Sequence, residues 1–312
     1  MKFPGPLMHA MLLCALVLAP VACWAQDLNL VILLSDNTAP YLSFAKKLKD
    51  SLPASVQAIV LEYPGQLPSS ALKADLIITA GMKATELAAT QSSIPVLAVM
   101  IPKSSYERML AQQSPQNPAP SISAIYLDQP WDRQLDFVRA ALPDRIKIGL
   151  LYGEETHIDV ARLHQDIAHR GGSLIARPIR SAKGLYPSLE SVLKDSDVLL
   201  AIPDSAIYSS NNIRNILLTS YRYRIPLIGL SQSYVNAGAL CAIFSTPEQL
   251  AEQASTTTNL FGQTKKLPGS KYPAAFSIAV NQQVAQSLGI ELPSPEAIRN
   301  QMDKAKLKEH GR

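Results

Sequence analysis

The chain has 312 residues, 47% hydrophobic and 17% charged, with a formal net charge of +4. That is ordinary globular composition with length for two cores, which sets aside a disordered chain. Part of the small positive excess lies at Lys304, Lys306, Lys308 and Arg312, a solvated terminal tail, so composition gives no nucleic-acid footprint.

At the start, Lys2 precedes an apolar run from Leu7 to Ala19, followed by Pro20 and the small residues Cys23 and Ala25. A positive start, a short apolar core and a small-residue cleavage site describe a secretory signal peptide over 1–25, cut before Gln26. The run is shorter than the roughly 20 residues that a membrane span needs. Lipid attachment at Cys23 is the alternative, although Pro20 stands where a branched aliphatic residue is expected. Cys14 and Cys23 fall inside this segment, so the exported chain keeps only Cys241 and has no internal disulfide. Embedded in an apolar stretch, Cys241 reads as a small core residue.

Leu28–Leu34 reads as a first buried strand, ending in Ser35-Asp36-Asn37-Thr38, where Asn37 or Thr38 can cap a helix over Pro40–Leu52. Strands follow at Val56–Leu61, Leu76–Ile78 and Pro95–Ile101, with a helix over Lys83–Thr90 after Thr79-Ala80-Gly81. Ser114–Pro120 holds three prolines and reads as a loop or linker. A second series then begins. It comprises a strand from Ile122, a helix Trp131–Leu142 opened by Pro130, a strand Ile146–Tyr152, a helix His157–His169 stopped by Gly171-Gly172, a strand Leu174–Ala176 and a helix near Leu185–Leu193.

From Val198 to Leu240 the pattern is clearest. Two short apolar runs, Val198–Ile202 and Ile225–Leu230, flank a helical pattern over Ser209–Tyr223. Runs too short for helices and apolar throughout suggest parallel strands buried on both faces. Both end in small polar residues, and in open α/β sheets those carboxyl ends are where ligands sit. After them come a helix Pro247–Phe261, a polar loop Lys265–Tyr272, a strand Ala274–Val280 and a short helix to Leu288. A spare helix and a spare strand after two α/β units imply a chain that recrosses between two lobes through a hinge. The fold class expected is therefore α/β, two Rossmann-like lobes with parallel sheets.

Signatures of catalysis are missing. The turn Ser35–Pro40 has no glycine, and no Walker loop, His-Glu-x-x-His or Gly-x-Ser-x-Gly occurs. Three Ser-x-x-Lys matches, at Ser43, Ser70 and Ser191, lack the companion motifs of acyl-transfer enzymes. Glu154, Glu155, His157 and Asp159 cluster at a helix start, where acids already favour the helix dipole and Thr156 with Asp159 resembles a capping pair. His164 and His169 are five apart and do not share a helix face, which weakens a metal reading further.

Four segments carry a resemblance to a known family. Ile122–Ile125 followed by Gln134–Phe137, and Leu142-Pro143 with Lys147–Tyr152, resemble that family's crossover strand, "QL" helix and "LP…KIGVLY" strand. Ile202–Ser205, Ile225–Leu227 and Gly238–Leu240 resemble its "TDN", "IPV" and "GAL" sequence, and Val280-Asn281 with Ala285, Leu288–Ile290 and Pro293 resembles its closing segment. The order and spacing resemble the ABC-transporter substrate-binding protein family whose members include tryptophan- and tyrosine-binding proteins. The resemblance implies the type I periplasmic-binding fold. It puts 26–125 with 240–262 in one lobe and 126–239 with 263–295 in the other, leaving 296–312 as a polar tail. There are departures around the expected cleft. Tyr152 is followed by Gly-Glu-Glu-Thr-His157 in place of a Gly-rich segment, Ser205 stands where Asn is frequent, and Phe244–Gln249 replaces a glycine-bearing segment.

The candidate ligand-binding residues are polar or small groups at strand ends: Ser35, Asn37, Thr38, Gly81, Tyr126, Glu154, Asp204, Ser205, Ser231, Gln232 and Tyr234. Helix N-termini and hydroxyls can hold a carboxylate, an acid can pair an ammonium, and a tyrosine offers a flat wall with a polar tip. The expectation is a periplasmic, non-enzymatic receptor, monomeric and without cofactor or metal. It closes on a small molecule, with an amino acid implied by the resemblance, and delivers it to an inner-membrane ABC permease. The alternative is a periplasmic sensory or scaffolding partner of the same fold that signals to a membrane receptor.

Overall fold

The computed structural model describes residues 28–310 other than 64, 70, 113–119, 155 and 157. The signal segment expected over 1–25 and the Cys23 alternative lie outside the described residues. No helix among the described residues is long and apolar enough to cross a membrane.

The first lobe is a five-stranded parallel sheet in the order β2-β1-β3-β4-β5, made of β1 (Leu28–Leu34), β2 (Val56–Glu62), β3 (Leu76–Ala80), β4 (Val96–Ile101) and β5 (Ile122–Tyr126). Its helices are α1 (Ala39–Ser51), α2 (Met82–Gln91) and α3 (Lys103–Gln112). All five residues of β3 are buried, and so are six of the seven in β1, as wholly apolar strings require when helices cover both faces. β2 alternates toward solvent because it is the edge.

The second lobe repeats this order and adds a strand. Its sheet runs β11-β10-β9-β8-β6-β7, from β6 (Lys147–Gly153), β7 (Ser173–Ile179), β8 (Val198–Leu200), β9 (Leu227–Gly229), β10 (Cys241–Phe244) and β11 (Ser277–Val280). All pairings are parallel except β10–β11. The helices are α4 (Trp131–Ala141), α5 (Val160–His169), α6 (Leu185–Asp195), α7 (Ile213–Arg222), the short α8 (Gln232–Asn236), α10 (Gln282–Leu288) and α11 (Pro295–His310). One continuous core includes Phe137, Leu150, Leu189, Leu199 and Cys241. Burial pushes the Cys241 thiol far up, so it stays protonated.

The remaining helix, α9 (Pro247–Thr264), returns to the first lobe. Its Leu250, Ala251, Ala254 and Phe261 pack with Phe44 and Leu48 of α1. A capping box starts it: Gln249 N donates to Thr246 Oγ1 at 3.2 Å and Thr246 N donates to Gln249 Oε1 at 2.9 Å. The chain then runs beside β5, where Lys271 N donates to Ala124 O at 2.8 Å and Tyr126 N donates to Lys271 O at 3.0 Å. Three passages, at 127–130, 245–246 and 272–276, thus join the sheets.

Three boundaries differ from the sequence expectation: residues 263–271, expected in the second lobe, stay with the first, where Leu267 packs on the core and Lys271 pairs with β5. Residues 240–244 are expected with the first lobe, but β10 sits in the second sheet between β9 and β11. A run buried on both faces needs strand partners, so the chain crosses only at Ser245–Thr246. The segment 296–312, expected as a polar tail, is helical to His310, with Ile298 and Met302 buried in the second core. Their burial contributes about 2 kcal/mol each, enough to dock the helix on α4.

Candidate functional site: the cleft between the lobes

Two adjoining cavities open between the lobes, of about 350 and 410 Å3. Both are walled on the first-lobe side by α3 and on the second-lobe side by the ends of β6 and β8, with Ser104, Thr156 and Pro203 shared. These are the carboxyl ends of parallel strands, where an open α/β sheet exposes amides and polar turns.

The first cavity is lined by Ser104, Ser105 and Arg108 of α3, facing Gly153, Glu154, Thr156, Arg180, Asp204 and Ser205. Asp204 organises the second-lobe wall. Its Oδ2 accepts from Gly153 N at 2.9 Å and from the Thr156 hydroxyl, and its Oδ1 accepts from Ala206 N at 3.0 Å and Ile207 N at 3.1 Å. Gly153 is needed here, since a Cβ at that position would lie 2.7 Å from Asp204 Oδ2. Glu154 is exposed and pairs with Arg180 at 3.6 Å. Thr156 is therefore engaged with Asp204 and does not cap α5. Asp159 is the cap, and its Oδ1 accepts from Arg162 N at 2.9 Å.

The second cavity lies against the passages between lobes. Its walls include Lys103 and Glu107 of α3, Asp128, Trp131, Asp132, Asp159, Arg162 and Tyr272. Asp128 Oδ2 accepts from Lys103 N at 2.7 Å, which fixes the start of α3. Burial pushes the Asp128 carboxyl up to about 6, against the pull of the Lys103 amide. Behind the cavity, Tyr272, Tyr126 and Tyr106 stack edge to face, with centroids 5.3 and 5.8 Å apart.

A polar clasp joins the three passages. Gln129 Nε2 donates to Ser245 Oγ at 3.0 Å, and Ser245 Oγ donates to Ala275 O at 2.6 Å. Arg133 Nη1 donates to Gln129 Oε1 at 2.7 Å and to Pro273 O at 2.9 Å. Phe276 is held between two guanidinium groups, Arg133 at 4.9 Å and Arg299 at 4.2 Å from its ring.

Of the candidates from sequence, Glu154, Asp204 and Ser205 line the first cavity. The others lie outside both. Ser35 is buried at the tip of β1, where its Oγ accepts from Ala84 N at 3.0 Å and so serves the start of α2. Gly81, at φ 88°, is that helix's N-cap and has no side chain to do so, and a Cβ there would meet Tyr41 Oη at 2.4 Å. Asn37 and Thr38 are exposed beyond β1. Tyr126 is buried in the tyrosine stack, and burial raises its hydroxyl pKa. Ser231 and Gln232 begin α8, and Tyr234 Oη donates to Tyr208 O at 2.7 Å.

Sequence reasoning missed the α3 face altogether, because no helix was expected between Ile101 and Ser114. A signal existed: Pro102 precedes the segment, and Tyr106 with Met109, both buried, stand three residues apart. In the sequence Asp128, Trp131 and Tyr272 look like an ordinary strand end, helix start and loop residue.

Solved structures share this fold. The ligand-free, open form of a substrate-binding protein with adhesive properties from Clostridium difficile matches with TM-score 0.63 at 16% identity, over 86% of this chain and 97% of that one. A conserved domain protein from Vibrio cholerae matches at 0.61 and 16%, over 88% and 98%. An ABC domain in complex with L-Trp from Streptococcus pneumonia matches at 0.61 and 15%, over 86% and 97%. No curated protein sequence matches the chain. The family model described as ABC transporter substrate binding protein matches residues 58–305, and the chain belongs to that family.

Proposed function

We propose that this protein is an exported, non-enzymatic receptor that closes its two lobes on one small solute and hands it to an inner-membrane ABC permease. The observation that carries the reading is the pair of adjoining cavities, walled by α3 on one side and by the β6 and β8 ends on the other. Their size suits a small metabolite, since ligand pockets run to roughly 300–1,000 Å3. Residues from both lobes contribute to each cavity, so a solute there binds the closed arrangement better than the open one, and that difference drives closure. Family membership supports transport as the setting and a periplasmic location. The neighbour solved with L-Trp supports an amino acid as the solute, and the lipid-free, soluble form follows from the expected cut before Gln26.

The test is a thermal-shift screen of the purified protein lacking residues 1–25 against amino acids, sugars and nucleosides. A solute bound only by the folded state raises the melting point, by about 2.7 kcal/mol of added stability at a hundred times its Kd. The reading expects at least one solute to do so. A panel in which none does contradicts it.

A further inference from the structure

We infer that the second lobe holds another binding site, at the end of its sheet away from the cleft, for a small carboxylate with an apolar body. A cavity of about 240 Å3 opens there, between the C-terminal ends of α4 and α5 and the loops that lead into β6 and β7. β6 is seven residues long, so its amino end lies about 20 Å from the cleft at its carboxyl end. No residue that lines this cavity lines either cleft cavity, and the site stands apart from the receptor reading.

The lining divides into two chemistries. Its floor is aliphatic, with Val138, Leu142, Ile148 and Ile167 reaching it from the buried core of the lobe. Ile146 also lines it and is 52% exposed, so a large apolar side chain faces water beside an apolar hollow. An occupant with a hydrocarbon body takes both out of water, which is the main favourable term in most association.

The polar part consists of three guanidinium groups, those of Arg139, Arg145 and Arg170, and no acid lines the cavity. Arg170 is already paired, its Nη2 lying 3.4 Å from Asp132 and 3.6 Å from Asp136. Arg139 and Arg145 are not: neither guanidinium makes an ion pair or a hydrogen bond among the described residues. Arg139 stands in the last turn of α4, where a cation suits the negative helix end, but that leaves its N–H donors unused. Arg145 lies in the loop beyond the helix, where the dipole has faded. Two open forks beside an aliphatic floor match a carboxylate on a hydrocarbon chain, since a guanidinium holds a carboxylate through paired hydrogen bonds. At ~30 Å3 for a water-sized group, the hollow has room for roughly eight of them, the size of a medium-length fatty acid.

The experiment titrates the purified protein lacking residues 1–25 with octanoate. Acetate supplies the carboxylate without the chain, and 1-octanol the chain without the carboxylate. Octanoate should bind at a single site, with acetate and 1-octanol weaker by about tenfold or more. The double variant Arg139→Gln with Arg145→Gln, which leaves the core intact, should lose about tenfold or more in octanoate affinity. Methyl spectra of isoleucine-labelled protein locate the ligand: octanoate should shift Ile146, Ile148 and Ile167 and leave Ile158 and Ile202 of the cleft in place. Absence of octanoate binding, equal binding of acetate or 1-octanol, unchanged affinity in the double variant, or shifts confined to Ile158 and Ile202 would each overturn the inference. None of these outcomes touches the receptor reading, which the thermal screen tests separately.

Discussion

The Asp204 carboxylate and the Gly153 amide lock the ends of β8 and β6 together, with Oδ2 2.9 Å from the amide nitrogen and no room for a Cβ between them. Four donors converge on this one carboxylate, so its removal strands amides in a buried turn. Asp204→Ala should cost about 3 kcal/mol, read as a fall in melting temperature. Gly153→Ala should destabilise the wild type but cost less in the Asp204→Ala background, because the clash is with that oxygen. Additive effects in the double-mutant cycle would refute the coupling.

Ser35 poses a sharper choice. Its hydroxyl serves Ala84 N where Gly81 cannot, so Ser35→Ala should lower stability by about 1 kcal/mol and leave solute affinity unchanged. A change in affinity with unchanged melting would make Ser35 a ligand contact instead.

Asp128 sets a pH dependence. Burial raises its pKa to about 6 from the usual 3.8, so folding opposes its ionisation. Below both values the carboxyl is protonated in either state and the penalty vanishes. Between pH 4 and 6 the unfolded chain loses the proton first, and stability falls toward a penalty on the order of 2–3 kcal/mol above pH 6. Lys103 and Glu107 on α3 face the group, one lowering and one raising its pKa. Asp128→Asn should therefore melt higher than wild type at pH 7 and approach it near pH 3, below both values. Identical pH profiles would count against this placement of the carboxyl.

The clasp between the passages yields a prediction about closure. Ser245→Ala removes the link from Gln129 to Ala275 O; Ser245 itself lines neither cavity, while its partner Gln129 lines the second. It should cost about 1–2 kcal/mol in stability and alter solute affinity several-fold, because the balance of open and closed forms changes. Titration of Ser245→Ala beside wild type checks this; unchanged affinity with lowered stability would confine the clasp to a static role.

Much of the fold was legible because buried parallel strands leave short, wholly apolar runs such as Leu28–Leu34 and Leu76–Ala80. The recrossing was legible from leftover elements, but its position was not. Nothing in Ala239–Phe244 says which sheet will bury it, and that pairing is a long-range choice. The helix α11 escaped because, among its described side chains, Ile298 and Met302 alone are deeply buried along a mostly polar sequence. Strand ends in the sequence point to Glu154, Asp204 and Ser205, which line the first cavity. The α3 face gives no such sign, since Lys103 and Arg108 carry no motif and acquire their setting only when the lobes face each other.

The most direct measurement is small-angle X-ray scattering of the purified protein with and without the solute giving the largest thermal shift. The account predicts a smaller radius of gyration at saturation, as α3 approaches the β6 and β8 ends. A scattering curve unchanged by a solute that titration shows to be bound would contradict closure, and with it the two-lobed receptor.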